Sequence, residues 1–201
     1  AGVPAGVIGT TGVRFGGGTR PATFTTPEAP ELQGLLAEMV RAGVRAVALE
    51  LSSHALVQRR CFGLEVDVAV FTNLSHDHLD YHGTIERYLD AKLMLFDGRN
   101  APASGKRGTA VVNADDPAAA RVVEAAARGR FATVTYGSGA GADLRIAAAE
   151  PRPEGLDVRL EGAERASFTL PLLGRYNAWN AAAAFASARA LGIEAGAAVA
   201  G

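Results

Sequence analysis

Val66-Asp67-Val68-Ala69-Val70-Phe71-Thr72 runs directly into Asn73-Leu74-Ser75-His76-Asp77-His78-Leu79-Asp80-Tyr81-His82-Gly83, an apolar stretch followed by the densest polar cluster of the chain. An apolar run this short and this continuous predicts a strand covered on both faces, the habit of parallel sheets. Ala46-Val47-Ala48-Leu49-Glu50-Leu51 repeats the form with a single charge. Further strands are predicted at 108–113 and 131–136, and helices at 53–60, 84–96, 117–128 and 177–191, the last rich in alanine. Leu32, Leu35, Leu36, Met39 and Val40 recur at i, i+3, i+4, i+7 and i+8, which predicts an amphipathic helix ended by Gly43. Thr26 followed by Pro27 reads as its N-cap and first position. Alternating strands and helices make the fold class α/β, a mostly parallel sheet flanked by helices. Between 143 and 171 three short runs, separated by Pro151, Pro153, Gly155 and Gly162, predict a small antiparallel meander added to it.

Composition narrows the function classes. The 201 residues carry 20 Lys and Arg against 21 Asp and Glu, a net charge of -1, with the cations scattered. That pattern predicts neither a nucleic-acid partner nor a polybasic membrane anchor. No apolar run approaches the ~20 residues of a membrane helix. Cys61 is the one cysteine, which excludes an internal disulfide and fits a reducing compartment, the cytoplasm. A start at Ala1-Gly2-Val3-Pro4 and an alanine-rich close at 197–201 predict a piece of a longer protein, cut at both ends.

The polar cluster lies where ligands bind in open α/β sheets, beyond the carboxyl end of a strand. His76, His78 and Asp80 copy the start of an H-x-H-x-D-H zinc signature, but Tyr81 follows and His82 arrives one residue late, so a zinc hydrolase is the alternative reading. Glu50-Leu51-Ser52-Ser53-His54 is a second polar group at a strand end. A lone carboxylate in an apolar strand is costly to bury unless paired or bound to a cation. Two adjacent parallel strands would bring Glu50 and the 73–82 loop to one edge and suit Mg²⁺, which prefers oxygen ligands and bridges phosphates. Lys92 sits among Leu89, Leu93, Met94, Leu95 and Phe96. Apolar surroundings lower a lysine pKa, and the neutral amine could capture CO₂ as a carbamate. Gly9-Thr10-Thr11-Gly12 has no lysine and no helical pattern after it, so it is not assigned to phosphate.

The stretches 49–60, 70–83 and 91–96 resemble the Mur ligase family, with Thr25-Thr26-Pro27, Val112-Asn113-Ala114-Asp115-Asp116-Pro117 and Leu173-Gly174-Arg175-Tyr176-Asn177-Ala178-Trp179-Asn180 in family order. Asp77 to Gly83, preceded by Phe71-Thr72-Asn73-Leu74, is most like the branch that adds a diamino acid. The resemblance implies that residues 1–201 are the central ATP-binding domain of a three-domain ligase, without its phosphate loop and its two outer domains, and inactive alone. It implies that Glu50 and His78 bind Mg²⁺ and that Lys92, as a carbamate, helps hold a second Mg²⁺, the three forming the catalytic set. Thr25, Thr26, Ser52, Gln58 and Arg60 would contact the UDP-MurNAc-dipeptide, and Asn177 and Asn180 the adenine side of ATP. The implied reaction is ATP-dependent amide formation. The D-Glu carboxylate takes the γ-phosphoryl group as an acyl phosphate, and the amine of meso-diaminopimelate or L-lysine displaces phosphate. A non-catalytic nucleotide-binding module is a further alternative.

Overall fold

A computed structural model of the chain describes residues 2–75, 77–102 and 105–200. Among the described residues ten strands form two sheets. The smaller joins β1 (Ala5–Gly9), β2 (Gly12–Phe15), β3 (Gly18–Arg20) and β4 (Ala46–Leu49) in the order β3-β2-β1-β4. The larger holds β5 (Val68–Phe71), β6 (Thr109–Asn113), β7 (Ala132–Gly137), β8 (Leu144–Arg152), β9 (Gly155–Gly162) and β10 (Ala166–Leu170), ordered β10-β9-β8-β7-β6-β5. The pairs β5–β6, β6–β7 and β7–β8 are parallel, and β8–β9 and β9–β10 antiparallel. The mostly parallel sheet and the meander of residues 144–170 therefore form one continuous layer.

Helices α1 (Ala29–Arg41), α2 (Ser53–Val57), α3 (Leu79–His82), α4 (Ile85–Leu93) and α5 (Ala119–Arg128) fill connections between strands, and α6 (Asn177–Ala190) and α7 (Ala195–Ala200) follow β10. The two-sided burial expected of a parallel strand is complete in β6. Val111 packs with Ala178, Ala182 and Phe185 of α6, while Ala110 and Val112 pack with Val122, Ala125 and Ala126 of α5, all within 5 % exposure. Among the described residues no helix is long and apolar enough to cross a membrane.

Several sequence expectations need correction. β4 is not covered on both faces: Val47 is 38 % exposed, and Val70 of β5 matches it. β4 and β5 are not hydrogen-bonded neighbours either, since each ends a different sheet. Thr26 does not cap α1. Glu28 holds that position with Pro30 in the first turn, because the Thr26 hydroxyl is engaged elsewhere. Val40 leaves the apolar stripe of α1 and is 71 % exposed, while Leu32 and Met39 are fully buried. The β1–β2 and β2–β3 hairpins escape the apolar pattern because glycine writes them. Gly9 pairs with Gly12 across Thr10-Thr11, and Phe15 pairs with Gly18 across Gly16-Gly17, both at positive φ, the two-residue turn that suits twisted strands.

Candidate functional site

Glu50 leaves the carboxyl end of β4 with its N–H donating to Ile8 O at 2.9 Å. Its carboxylate is exposed rather than buried, so the desolvation cost expected for a strand carboxylate does not arise. The Thr10 N–H and Thr10 hydroxyl both donate to Glu50 Oε2, at 2.9 and 2.6 Å, and Thr25 Oγ1 lies 3.3 Å from Thr10 Oγ1. Gly9 leaves room for the carboxylate, since a Cβ would stand 2.7 Å from Glu50 Cδ and push it aside. Thus the Gly9 to Gly12 turn, unassigned from sequence, orients the carboxylate. A threonine in a turn carries no sequence signal for such a role.

Thr26, 1 % exposed, donates its hydroxyl to Glu50 O at 2.8 Å and accepts from Ser52 N at 3.0 Å. Ser52 then caps α2, its Oγ accepting from Ala55 N. Arg60 closes the group from below. Its Nη1 donates to Thr26 O at 3.0 Å, its Nε and Nη2 donate to Gln58 Oε1 at 2.9 and 2.6 Å, and Glu28 pairs with it at 3.1 Å. Its guanidinium also lies 4.7 Å from the Phe24 ring centroid. Thr25, Thr26, Ser52, Gln58 and Arg60 are therefore one connected patch beside Glu50, with the Arg60 fork already engaged.

A cluster of rings continues from this patch. His54, four residues after Glu50, stands 4.1 Å from the Tyr81 ring, 5.1 Å from His78 and 5.5 Å from His82, centroid to centroid. His82 is buried, places Nε2 2.9 Å from Ser53 Oγ and stacks on Tyr88 at 5.1 Å. Burial holds the His82 pKa below the usual imidazole value, helped by the neighbouring His54 and His78 charges. Tyr88 also meets the His78 ring edge-on at 5.7 Å and carries Lys92 Nζ 4.9 Å above its face. Both predicted ligands, His78 and Lys92, thus face one tyrosine ring. Lys92 lies over an aromatic face and is half-buried, whereas Leu89, Leu93 and Phe96 turn into the core.

His78 is exposed and adopts the left-handed conformation, φ 56°, at the start of α3. Asp80 lies in α3 beyond it, and His76 lies outside the described residues. Among the described residues no three His, Cys, Asp or Glu side chains are grouped to hold a metal ion. The zinc reading gains nothing from this arrangement.

Asn177 and Asn180 occupy the first turn of α6. Asn180 Nδ2 donates to Asn177 Oδ1 at 3.0 Å, and Asn177 Nδ2 donates to Leu173 O at 2.8 Å. Between them Trp179 Nε1 donates to Asp115 Oδ2 at 2.8 Å. Sequence reading singled out Thr10, Tyr88, Asp115 and Trp179 for no individual role.

The sheet and the side chains at its rim define an α/β domain built to place polar groups at the carboxyl ends of strands. The chain belongs to the Mur ligase middle domain family, whose model matches residues 2–188. It is 43 % identical over 195 residues to the UDP-N-acetylmuramoyl-L-alanyl-D-glutamate--2,6-diaminopimelate ligase of Geobacter sulfurreducens, covering 96 % of this chain and 38 % of that protein. The Gloeobacter violaceus ligase of the same name is 42 % identical over 192 residues, covering 95 % and 37 %. A solved structure of a ligase with that name superposes with a TM-score of 0.87 at 34 % identity, over 98 % of this chain and 39 % of that one. MurF from Acinetobacter baumannii shares the fold, with a TM-score of 0.66 at 23 % identity over 84 % of this chain and 36 % of that one. The chain spans less than two fifths of the length of these curated relatives.

Proposed function

We propose that this chain is the central, ATP-handling domain of a cytoplasmic ligase that adds a diamino acid to UDP-N-acetylmuramoyl-L-alanyl-D-glutamate in peptidoglycan synthesis. The observation that carries the reading is the rim in which the Glu50 main chain joins Ser52 through Thr26, and Ser53 and His54 lead on to His78, Tyr88 and Lys92, in a chain whose likeness to ligases of that name extends over nearly its whole length.

The residues present suit Mg²⁺ only as a shared site. Glu50 has Oε2 committed to Thr10 and Oε1 without a partner among the described residues, a hard oxygen ligand held in one orientation. Mg²⁺ takes one or two protein carboxylates and completes its shell with phosphate and water. Glu50 and His78 would hold it, and a Lys92 carbamate would add oxygen ligands to a second ion. When bound, the cation supplies charge neutralisation at the transferring phosphoryl group.

The remaining work belongs to side chains on the rim. Thr10 aims the Glu50 carboxylate. His82, held neutral and bonded to Ser53, locks α2 to α3 and keeps His54 and His78 in register. Thr25, Ser52 and Gln58 present polar groups to the muropeptide, and Arg60 braces Thr26 and Gln58. Asn180, whose Nδ2 is given to Asn177, has no hydrogen-bond donor to its Oδ1 among the described residues, which suits that oxygen to a purine amino group.

The test is a chimaera in which this chain replaces the matching segment of the Geobacter sulfurreducens ligase. Formation of ADP that requires both the UDP-MurNAc-dipeptide and diaminopimelate, and that falls by about 100-fold in the Glu50→Gln version, is the expected result. A folded chimaera that binds both substrates yet releases no ADP contradicts the reading.

A further inference from the structure

One feature of the fold lies outside the rim around Glu50. Asn113-Ala114-Asp115-Asp116-Pro117, the turn after β6, ties three segments together. Asn113 Nδ2 donates to Thr72 O at 2.7 Å and Asp116 Oδ2 accepts from Leu74 N at 2.8 Å, which fixes the loop that leads to His78. Asp116 Oδ1 accepts from Ala118 N at 2.8 Å and starts α5. Asp115 turns the other way. Its Oδ2 accepts from Ser138 N at 2.7 Å and from Trp179 Nε1 at 2.8 Å, and Gly139 N donates to Oδ1 at 3.3 Å.

Contact with the end of β7 is close: a Cβ at Gly137 would stand 2.7 Å from Asp115 Oδ1, so only glycine admits the carboxylate there. Burial alone would raise the Asp115 pKa, but the donors from Ser138, Trp179 and Gly139 hold it below the usual carboxylate range. The carboxylate is therefore an anion over the whole neutral range, and its bond to the indole N–H is charge-assisted, shorter and stronger than a neutral one. Trp179 lies between Asn177 and Asn180 in the first turn of α6, and those two amides are chained to each other and to Leu173 O. Fixing the indole fixes the turn that carries both amides.

We propose that Asp115 and Trp179 form a positioning clamp for an adenine nucleotide: Asp115, through the indole of Trp179, holds Asn177 and Asn180 in the orientation that selects the base. Asp115 touches no substrate; it acts through Trp179. The clamp rests on the reading that the two asparagines face adenine. It also joins that base to the loop after β5, because Asp115 and Asp116 are consecutive in one turn.

Trp179 is the only tryptophan of the chain, so its emission reports this contact without background. The whole chain is titrated with Mg·ADP and with Mg·GDP, following Trp179 emission and, separately, bound nucleotide by equilibrium dialysis. In the unsubstituted protein ADP binds in preference to GDP and shifts the emission. Asp115→Asn weakens ADP by roughly tenfold, the scale of one lost charge-assisted bond, and collapses the preference over GDP. Trp179→Phe, which keeps the ring packing and loses the N–H, does the same to dialysis-measured affinity, with circular dichroism and thermal midpoint retained. It decides the matter if the asparagine variant does not fold. Unchanged ADP affinity and base preference in folded variants overturn the clamp and leave the adenine reading standing. Failure of the unsubstituted chain to prefer ADP over GDP overturns the clamp and the adenine reading together.

Discussion

The hydroxyl of Thr10 donates to the carboxylate of Glu50 across 2.6 Å, joining a hairpin turn of the small sheet to the carboxyl end of β4. The Thr10 N–H holds the same oxygen at 2.9 Å, and among the described residues the second carboxylate oxygen has no hydrogen-bond donor. Thr10→Val keeps the size and the backbone bond and removes the hydroxyl. In the chimaeric ligase the Mg²⁺ concentration giving half-maximal ADP formation then rises by about three- to tenfold, the scale of one typical net hydrogen bond at an exposed site. An unchanged Mg²⁺ dependence would show that Thr10 does not aim the carboxylate.

His82 sets a pH response. Its pKa is depressed in the folded chain, through burial and the facing His54 and His78, with Asp80 opposing and Lys92 adding to the shift. The unfolded chain therefore binds the proton first. Stability from this group is present above the ordinary imidazole value of about 6.5 and is lost as pH falls through that value and on through the lower folded one. His82→Gln, which can still bond Ser53, removes that part of the slope. Urea midpoints at pH 7.5 and pH 5.5 check it: the gap between the two narrows in the variant, and an equal gap in both proteins sinks the assignment.

Cys61 tests the packing behind α2. It is 1 % exposed, its Sγ donates to Asn100 Oδ1 at 3.3 Å, and burial pushes its thiol pKa up to about 11. The thiolate is the reactive form. At pH 8 iodoacetamide labels the native chain far more slowly than the chain in urea, and the rate follows global unfolding. Labelling at the rate of a small-molecule thiol would place Cys61 at the surface.

Gly129, after α5, has φ -77°, which any residue adopts, yet a Cβ there would stand 1.9 Å from Phe96 O. Gly129→Ala consequently destabilises by about 1–3 kcal/mol through overpacking rather than backbone strain. Trp179 emission in a urea titration measures it, and a wild-type midpoint would mean that the segment after α4 yields without cost.

How much of this was legible depended on the physics involved. Continuous apolar runs located β5, β6 and β7 and helical periodicity located α1, since burial on one or two faces is what those patterns record, while residue content marked α4, α5 and the alanine-rich α6. The same reasoning overreached at β4, where an apolar run ends a sheet with Val47 open to water. It also overreached at Thr26, whose hydroxyl serves Glu50 O and Ser52 N instead of α1. Both errors arise because a run of residue types does not say which neighbour covers it. Glu50, His78 and Lys92 came to notice through charge and position, and their roles through family likeness. Tyr88, which both His78 and Lys92 face, is in sequence an ordinary apolar position of a helix, and Asp115 an ordinary turn residue. Their significance lies in tertiary contacts between segments far apart in the chain.

The proposed gathering of Glu50, His78 and Lys92 around a pair of nucleotide-bound cations is open to direct measurement with Mn²⁺ in place of Mg²⁺. Crystals of the chain grown with ADP and Mn²⁺ should give an anomalous difference peak at coordination distance, roughly 2.0–2.5 Å, from Glu50 Oε1, with His78 bordering the same density and Lys92 facing a second peak beside it. A nucleotide-associated Mn²⁺ peak remote from Glu50, with the rim from His54 to Lys92 vacant, would contradict it.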